Sequence, residues 1–291
     1  MDWDKLRIFH AVAEAGTFTH AGDTLNLSQS AVSRQIATLE ESLKVALFHR
    51  HARGLKMTEQ GEVLYRTAHD VFAQLAMAEA QMTENREKPK GVLKINTTIA
   101  FGTVWLTSRI NAFVERYPDI EVSLVLADNE LDLSMREADA AIRMTTPTQS
   151  DLVRRQLMTM HYHVYAAPEY LKRYGMPTSA RELDDHRLIV YGEDARPPTE
   201  NLNWLLTEGV SRGQKRKPVL QVSNIYGIFR GVQSGLGIGA LPDYMSEEAG
   251  NLVEILPECR GPSITAFFVY PEELRDSMRI VVLRDFLLNQ V

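Results

Sequence analysis

Apolar residues Val32, Ile36, Leu39 and Leu43 recur at spacings of four, three and four, which is one face of a helix, while Gln29, Ser30, Ser33 and Arg34 fall on the other. Ser28 or Ser30 can accept from the free N–H groups of the first turn and start that helix. Upstream, Leu6, Ile8, Phe9, Val12 and Ala13 form the stripe of a helix over 4–15 that Gly16 ends. Thr17 caps a second, short helix with Phe18, Ala21 and Leu25 on its buried side, and the turn Asn26-Leu27-Ser28 leads into the third. Two short helices joined so tightly make a helix-turn-helix whose second helix enters a DNA groove, or else a small helical bundle without a ligand.

Leu47 to Met57 has the pattern of two short strands around a turn, a wing anchored by its hydrophobes, with Arg50 and Arg53 placed to reach phosphates. Thr58 then caps a long helix running to about Asn85. Along it Gly61, Leu64, Ala68, Val71, Leu75, Ala78 and Met82 follow a strict 3-4-3-4-3-4 spacing, a coiled-coil seam that predicts dimerisation, with small residues to let helices approach. The alternative is an amphipathic helix lying on its own domain.

Arg86-Glu87-Lys88-Pro89-Lys90-Gly91 is a charged, proline-broken linker, and beyond it the pattern changes. Strands are predicted at 92–96, 120–126, 140–143, 161–166, 189–191, 219–222, 238–240 and 264–270, and helices at 104–116, 227–234 and 278–289. Such alternation argues for parallel sheets and α/β domains.

Composition bounds the reading. The chain has 291 residues, 44% hydrophobic and 24% charged, as in ordinary globular proteins with sizeable cores. It has no run of about 18 apolar residues and no basic-then-apolar leader, so a cytoplasmic protein is expected. Cys259 is the only cysteine, which excludes an intramolecular disulfide and a cysteine-rich zinc site. The net charge of −6 is unevenly spread: within 25–57 five basic residues face two acidic ones, a local basic module on an acidic protein. Gly235-Leu236-Gly237-Ile238-Gly239 faintly suggests a dinucleotide loop but follows a helix and precedes a strand, the reverse of the required order. His161 and His163 read as structural, His49 and His51 lack further ligands, and no catalytic or metal-binding residues are assigned. The expectation is a non-enzyme.

The segments Phe9 to Thr19, Leu27 to Ile36, Leu39-Glu40, Leu47 to Arg50 and Leu55 to Gly61, taken together, resemble the LysR-type transcriptional regulators. Weaker echoes continue through 113–118, 139–143, 167–171 and 234–242, so the resemblance spans essentially the whole chain. His20-Ala21-Gly22 departs from the family's run of alanines, which should loosen the second helix. Lys44 stands where a helix-ending glycine is common, and Met57 where leucine is usual. The resemblance implies a multidomain α/β protein: a winged helix-turn-helix (1–58), a dimerisation linker helix (59–87) and an effector-binding domain (88–291). That domain would comprise two lobes like those of periplasmic binding proteins, lobe 1 at 91–161 and 266–291 and lobe 2 at 162–265. It also implies a dimer or a dimer of dimers on a pseudo-palindromic double-stranded operator, contact with RNA polymerase if the protein activates, and no membrane partner.

Base edges and phosphates would be met by Ser28, Gln29, Ser30, Ser33, Arg34, Thr38, Arg50 and Arg53. The dimer seam would comprise Leu64, Ala68, Val71, Leu75, Ala78 and Met82. Ligands of open α/β sheets sit beyond strand carboxyl ends near helix N-termini, where an anion is favoured. Thr97 and Thr98 lie in such a place and offer hydroxyls, with Phe101 as an apolar wall, although ordinary capping would use the same threonines. Arg143 could grip a carboxylate or make a structural salt bridge, and Ser223 and Asn224 would face the same cleft. No fixed cofactor is expected, only a small anionic co-inducer. The rivals are a regulator that needs no effector and a solute-binding protein.

Overall fold

The computed structural model describes residues 2–51, 54–83, 88–193, 195 and 197–291, without the side chains of 50, 76, 77, 79–83 and 247–249. The chain divides into two compact units, one built from the N-terminal 83 residues and one essentially from the remainder.

In the first unit, α1 (Trp3–Ala15) is capped by the Asp2 carboxylate and ends at Gly16 in the left-handed region. Thr17 accepts from the His20 N–H to start α2 (Phe18–Leu25), and Ser28 accepts from the Ala31 N–H to start α3 (Gln29–Leu43). Ile8, Phe9, Val12, Ala21, Val32, Ile36, Leu39, Leu47 and Phe48 form the buried core, so the apolar stripes of all three helices converge. Gly22 makes the turn after α2 possible. A Cβ there would lie 2.6 Å from the Leu27 carbonyl oxygen, and the Leu27 N–H donates to the Gly22 carbonyl. Gly22 thus allows the close approach of the turn to α2.

The wing is the antiparallel pair β1 (Phe48–His51) and β2 (Gly54–Met57). Glu40 on α3 ties it down, its Oε1 accepting from the Leu47 and Phe48 N–H groups at 2.7 and 3.2 Å. Thr58 donates to the Ala46 carbonyl at 2.7 Å and accepts from the Gly61 N–H, joining the wing to α4 (Glu59–Thr83).

The second unit begins with β3 (Gly91–Thr97). A widened, π-helical turn at Phe101–Leu106 leads into α5 (Thr107–Arg116), followed by β4 (Ile120–Leu126) and β5 (Ala140–Arg143). Then come β6 (Leu152–Ala166), α6 (Pro168–Tyr174), β7 (Leu188–Tyr191), β8 (Leu220–Val222), α7 (Ile225–Gln233) and β9 (Ile238–Pro242). The chain closes with α8 (Asp243–Ala249), β10 (Val253–Ile255), β11 (Ser263–Pro271) and α9 (Met278–Leu288). Among the described residues, nine strands form one hydrogen-bonded sheet in the order β4-β3-β5-β11-β6-β9-β7-β8, with β10 on β6. The sets β4-β3-β5 and β9-β7-β8 are each parallel, as strand-helix alternation predicts. Parallel pairing does not extend to the middle, where β6 and β11 run antiparallel to each other, with β11 pairing β5 and β6 pairing β9 and β10. Strand β6 belongs to both halves of the sheet, its first part pairing β11 and its last residues pairing β9 and β10.

Two predicted boundaries shift for local reasons. Strand β6 starts at Leu152 and not near His161, because Arg154, Arg155 and Gln156 are exposed and hide the alternation, while pairing with β11 holds them extended. Before α5 the helix begins ahead of Val104, with the Thr107 N–H and hydroxyl both reaching back to the Gly102 carbonyl. The short α6, α8 and β10 carry too few residues to show a period.

Candidate functional site

Helix α3 buries Val32, Ile36 and Leu39 almost completely and turns Gln29, Ser30, Arg34 and Thr38 to solvent, with Ser33 half-buried. Not all of these hydroxyls are equally available. Ser28 Oγ is engaged as the helix cap and lies 3.1 Å from Ser30 Oγ, and Thr38 Oγ1 donates to the Arg34 carbonyl at 2.9 Å. Among the described residues no side-chain hydrogen bond engages the Gln29 amide or the Arg34 guanidinium, the two chemistries suited to adenine and guanine edges. On the wing, the Arg50 backbone lies in β1 opposite Leu55. The Arg50 side chain and the whole of Arg53 lie outside the described residues.

The expected seam on α4 divides into two parts. Gly61 is buried and a Cβ there would stand 2.2 Å from the Leu47 carbonyl oxygen, so its smallness serves packing against the wing within the protomer. Leu64 packs on the first unit's core, and Ala68 is 1% exposed. Val71 and Leu75 are 36% and 45% exposed, and Ala78 is exposed as well. The Met82 side chain lies outside the described residues.

In the second unit a cavity of about 730 Å³ opens between the two halves of the sheet. It lies at the carboxyl ends of the parallel strands: Asn96 and Thr97 end β3, Ile142 and Arg143 end β5, Tyr191 ends β7, and Ser223 and Asn224 follow β8. Met160, Tyr162 and Ile264 line it where β6 passes beside β11 from one half to the other. Of the six residues expected at an effector site, Thr97, Thr98, Arg143, Ser223 and Asn224 line this cavity. Phe101 does not. It is fully buried, stacked on Trp105 at 4.8 Å and edge-on to Tyr244 at 5.4 Å, so it backs the wall while Tyr244 forms it. The π-helical start, with its extra residue per turn, rotates positions that a regular helix would have presented to the cleft.

Several of these groups are already engaged. Thr97 Oγ1 donates to the Ile142 carbonyl, the Thr98 hydroxyl accepts from the Phe101 N–H, and Asn224 Oδ1 caps α7 by accepting from the Gly227 N–H. The Arg143 side chain is only 3% exposed, donating to the Leu131 carbonyl at 3.0 Å and to Gln149 at 3.2 Å and pairing with Glu130 at 3.4 Å. Its Nε is buried with no hydrogen-bond partner. Such an orphan donor is costly unless a ligand or water completes it.

Sequence reasoning missed Tyr162, Tyr191, Tyr244, Asp128 and Glu130, all of which line the cavity. Their only signal is position: tyrosines at the ends of apolar strands, and carboxylates in the loop after β4. Burial raises the three phenols well above their ordinary range, Tyr162 and Tyr191 being hydrogen-bonded to each other, so all three stay protonated.

A winged helix-turn-helix with a cationic reading face, in one chain with an α/β module holding a ligand-sized cavity, defines a ligand-responsive DNA-binding regulator. Residues 3–62 match the family described as bacterial regulatory helix-turn-helix protein, lysR family, and residues 86–291 match the LysR substrate binding domain. The chain belongs to the LysR family of transcriptional regulators. The HTH-type transcriptional regulator CrgA of Neisseria meningitidis serogroup C is 32% identical, over 99% of this chain and 96% of the relative. The solved structure of N. meningitidis CrgA, a LysR-type transcriptional regulator, aligns with TM-score 0.62 at 31% identity over 100% of this chain and 99% of that one. The full-length Vibrio cholerae virulence activator AphB aligns with TM-score 0.61 at 26% identity over 99% of both chains. The protein is therefore a DNA-binding transcriptional regulator. No helix among the described residues is long and apolar enough to cross a membrane.

Proposed function

We propose that the cavity takes a small carboxylate-bearing effector and that Arg143 is its anchor. The observation that carries this reading is the Arg143 guanidinium, buried in a ligand-sized cavity with Nε unpartnered. Its present counter-ion, Glu130, is half exposed and can swing aside when a ligand carboxylate arrives. The Thr98 hydroxyl proton and the Asn224 amide nitrogen complete the polar lining. The neutral phenols of Tyr162, Tyr191 and Tyr244 hold the remainder of the ligand. Binding that draws the two halves together shifts the balance between assembly states and so changes which half-sites are reached together.

The DNA contacts follow the same logic. Gln29, Ser30, Ser33 and Arg34 read base edges, Ser28 and Thr38 hold the backbone of that helix in position for reading, and Arg50 and Arg53 meet phosphates. Two protomers pair through Val71, Leu75 and Ala78, continued by Met82, while Leu64 and Ala68 contribute from the packed side. A dimer of dimers on a pseudo-palindrome, contact with RNA polymerase in activation and a cytoplasmic setting belong to this reading. The division into 1–58, 59–87 and 88–291, with lobes meeting near 161 and 265, is supported by the two family spans and by the long central strands.

Thermal shift and calorimetry of the full chain with small carboxylates and their neutral amides test the anchor. Carboxylates raise the melting temperature, and Arg143→Met abolishes the effect. Equal stabilisation by the amides, or binding undiminished in Arg143→Met, refutes it.

A further inference from the structure

Helices α1 and α4 bring together three side chains that the regulatory reading does not use. His10 Nε2 and His69 Nδ1 lie 3.3 Å apart, and each is 4.0 Å from Glu14 Oε1. Among the described residues this is the one group of His, Cys, Asp or Glu donors compact enough to hold a metal ion. His10 and Glu14 are four apart on α1 and therefore share a face, the spacing by which one helix supplies two metal ligands. His69 completes the set from α4.

The distances suit an ion. With metal–nitrogen bonds of about 2.0–2.1 Å, donors around a tetrahedral centre stand about 3.3–3.4 Å apart. The imidazole pair already meets that edge. The Glu14 side chain is 48% exposed, so a small rotation brings its carboxylate in by the remaining fraction of an ångström. The surroundings have the organisation of a ligand shell. Tyr65 OH donates to Glu14 Oε1, orienting the carboxylate. His10 is stacked on Tyr65 at 5.4 Å and flanked by Phe72 at 5.2 Å, an apolar floor that fixes its ring. The carboxylate side opens to solvent, leaving room for water as a fourth ligand.

We infer that His10, Glu14 and His69 form a binding site for a divalent transition-metal ion, with two imidazoles and one carboxylate favouring Zn(II) over Mg(II) or Ca(II). The ion would pin α1 of the winged domain onto α4 and stiffen the joint from which the reading helix is presented. This inference is independent of the effector cavity.

The test uses the full chain stripped with EDTA and dialysed, then titrated with ZnCl2 alone by calorimetry and with CoCl2 by visible absorption. One Zn(II) per chain is expected, together with tetrahedral Co(II) bands and a metal-dependent rise in melting temperature. Glu14→Gln and His69→Gln should each weaken Zn(II) by at least about 10-fold and remove the Co(II) bands, while melting like the wild type in EDTA. A His49→Gln/His51→Gln double variant controls for the wing histidines and should bind as wild type. Absence of Zn(II) binding, affinity unchanged in Glu14→Gln, or loss of binding in the wing variant alone overturns the site. Should His69→Gln fail to fold, the exposed and isosteric Glu14→Gln decides the matter.

Discussion

Glu40 is the residue through which the reading helix holds the wing, and Glu40→Ala isolates that link. Its Oε1 accepts from the Leu47 N–H at 2.7 Å and the Phe48 N–H at 3.2 Å, and Leu47 is 1% exposed. A hydrogen bond to a charged acceptor contributes about 1.5–3 kcal/mol, and an abandoned buried N–H costs about 1–3 kcal/mol. The longer bond counts for less, and the half-buried carboxylate leaves water a route in. Both considerations favour the lower end, about 3 kcal/mol for Glu40→Ala. Glu40→Gln keeps a neutral acceptor and should lose only about 1 kcal/mol. Native-state hydrogen exchange reads this directly: the Leu47 and Phe48 amides should exchange about 100-fold faster in Glu40→Ala, since each 1.4 kcal/mol is tenfold. Affinity for random-sequence DNA should fall with it, as the wing loses its fixed position. Wild-type protection at both amides in Glu40→Ala would show that the carboxylate does not hold the wing and would refute the reasoning.

Other consequences are open to measurement. Arg34→Ala should relax base preference at one operator position at a cost of about 1–3 kcal/mol, seen in binding to single-base operator variants. Arg50→Ala should weaken specific and random DNA alike and reduce the salt slope by about 1 in a filter-binding or anisotropy series. Gly61→Ala drives a methyl against the Leu47 carbonyl and should destabilise the first unit by about 1–3 kcal/mol in denaturant melts. Lys44 ends α3 at φ +58°, so Lys44→Gly should stabilise that unit by about 1 kcal/mol while leaving operator specificity unchanged.

The sequence by itself determined the local architecture. A period of 3.6 with a capping hydroxyl is a complete instruction for a short helix, and α1, α2 and α3 fall where Thr17, Ser28 and their apolar stripes place them. It also located five of the cavity residues, because the turn from a strand end to a helix start is a local pattern. What the tertiary structure alone decided lies at long separation. The antiparallel centre of the sheet comes from β6 meeting β11, about a hundred residues apart, which no window of sequence contains. The seam shows the same limit. Gly61 and Ala68 have the spacing of a coiled coil, yet Gly61 is packed against the wing and Ala68 is already buried within the protomer, and a period cannot say which neighbour fills a face. The tyrosines of the cavity and the His10–Glu14–His69 cluster follow from the same cause. Chemistry that arises when distant side chains are packed together becomes legible only once the chain has folded.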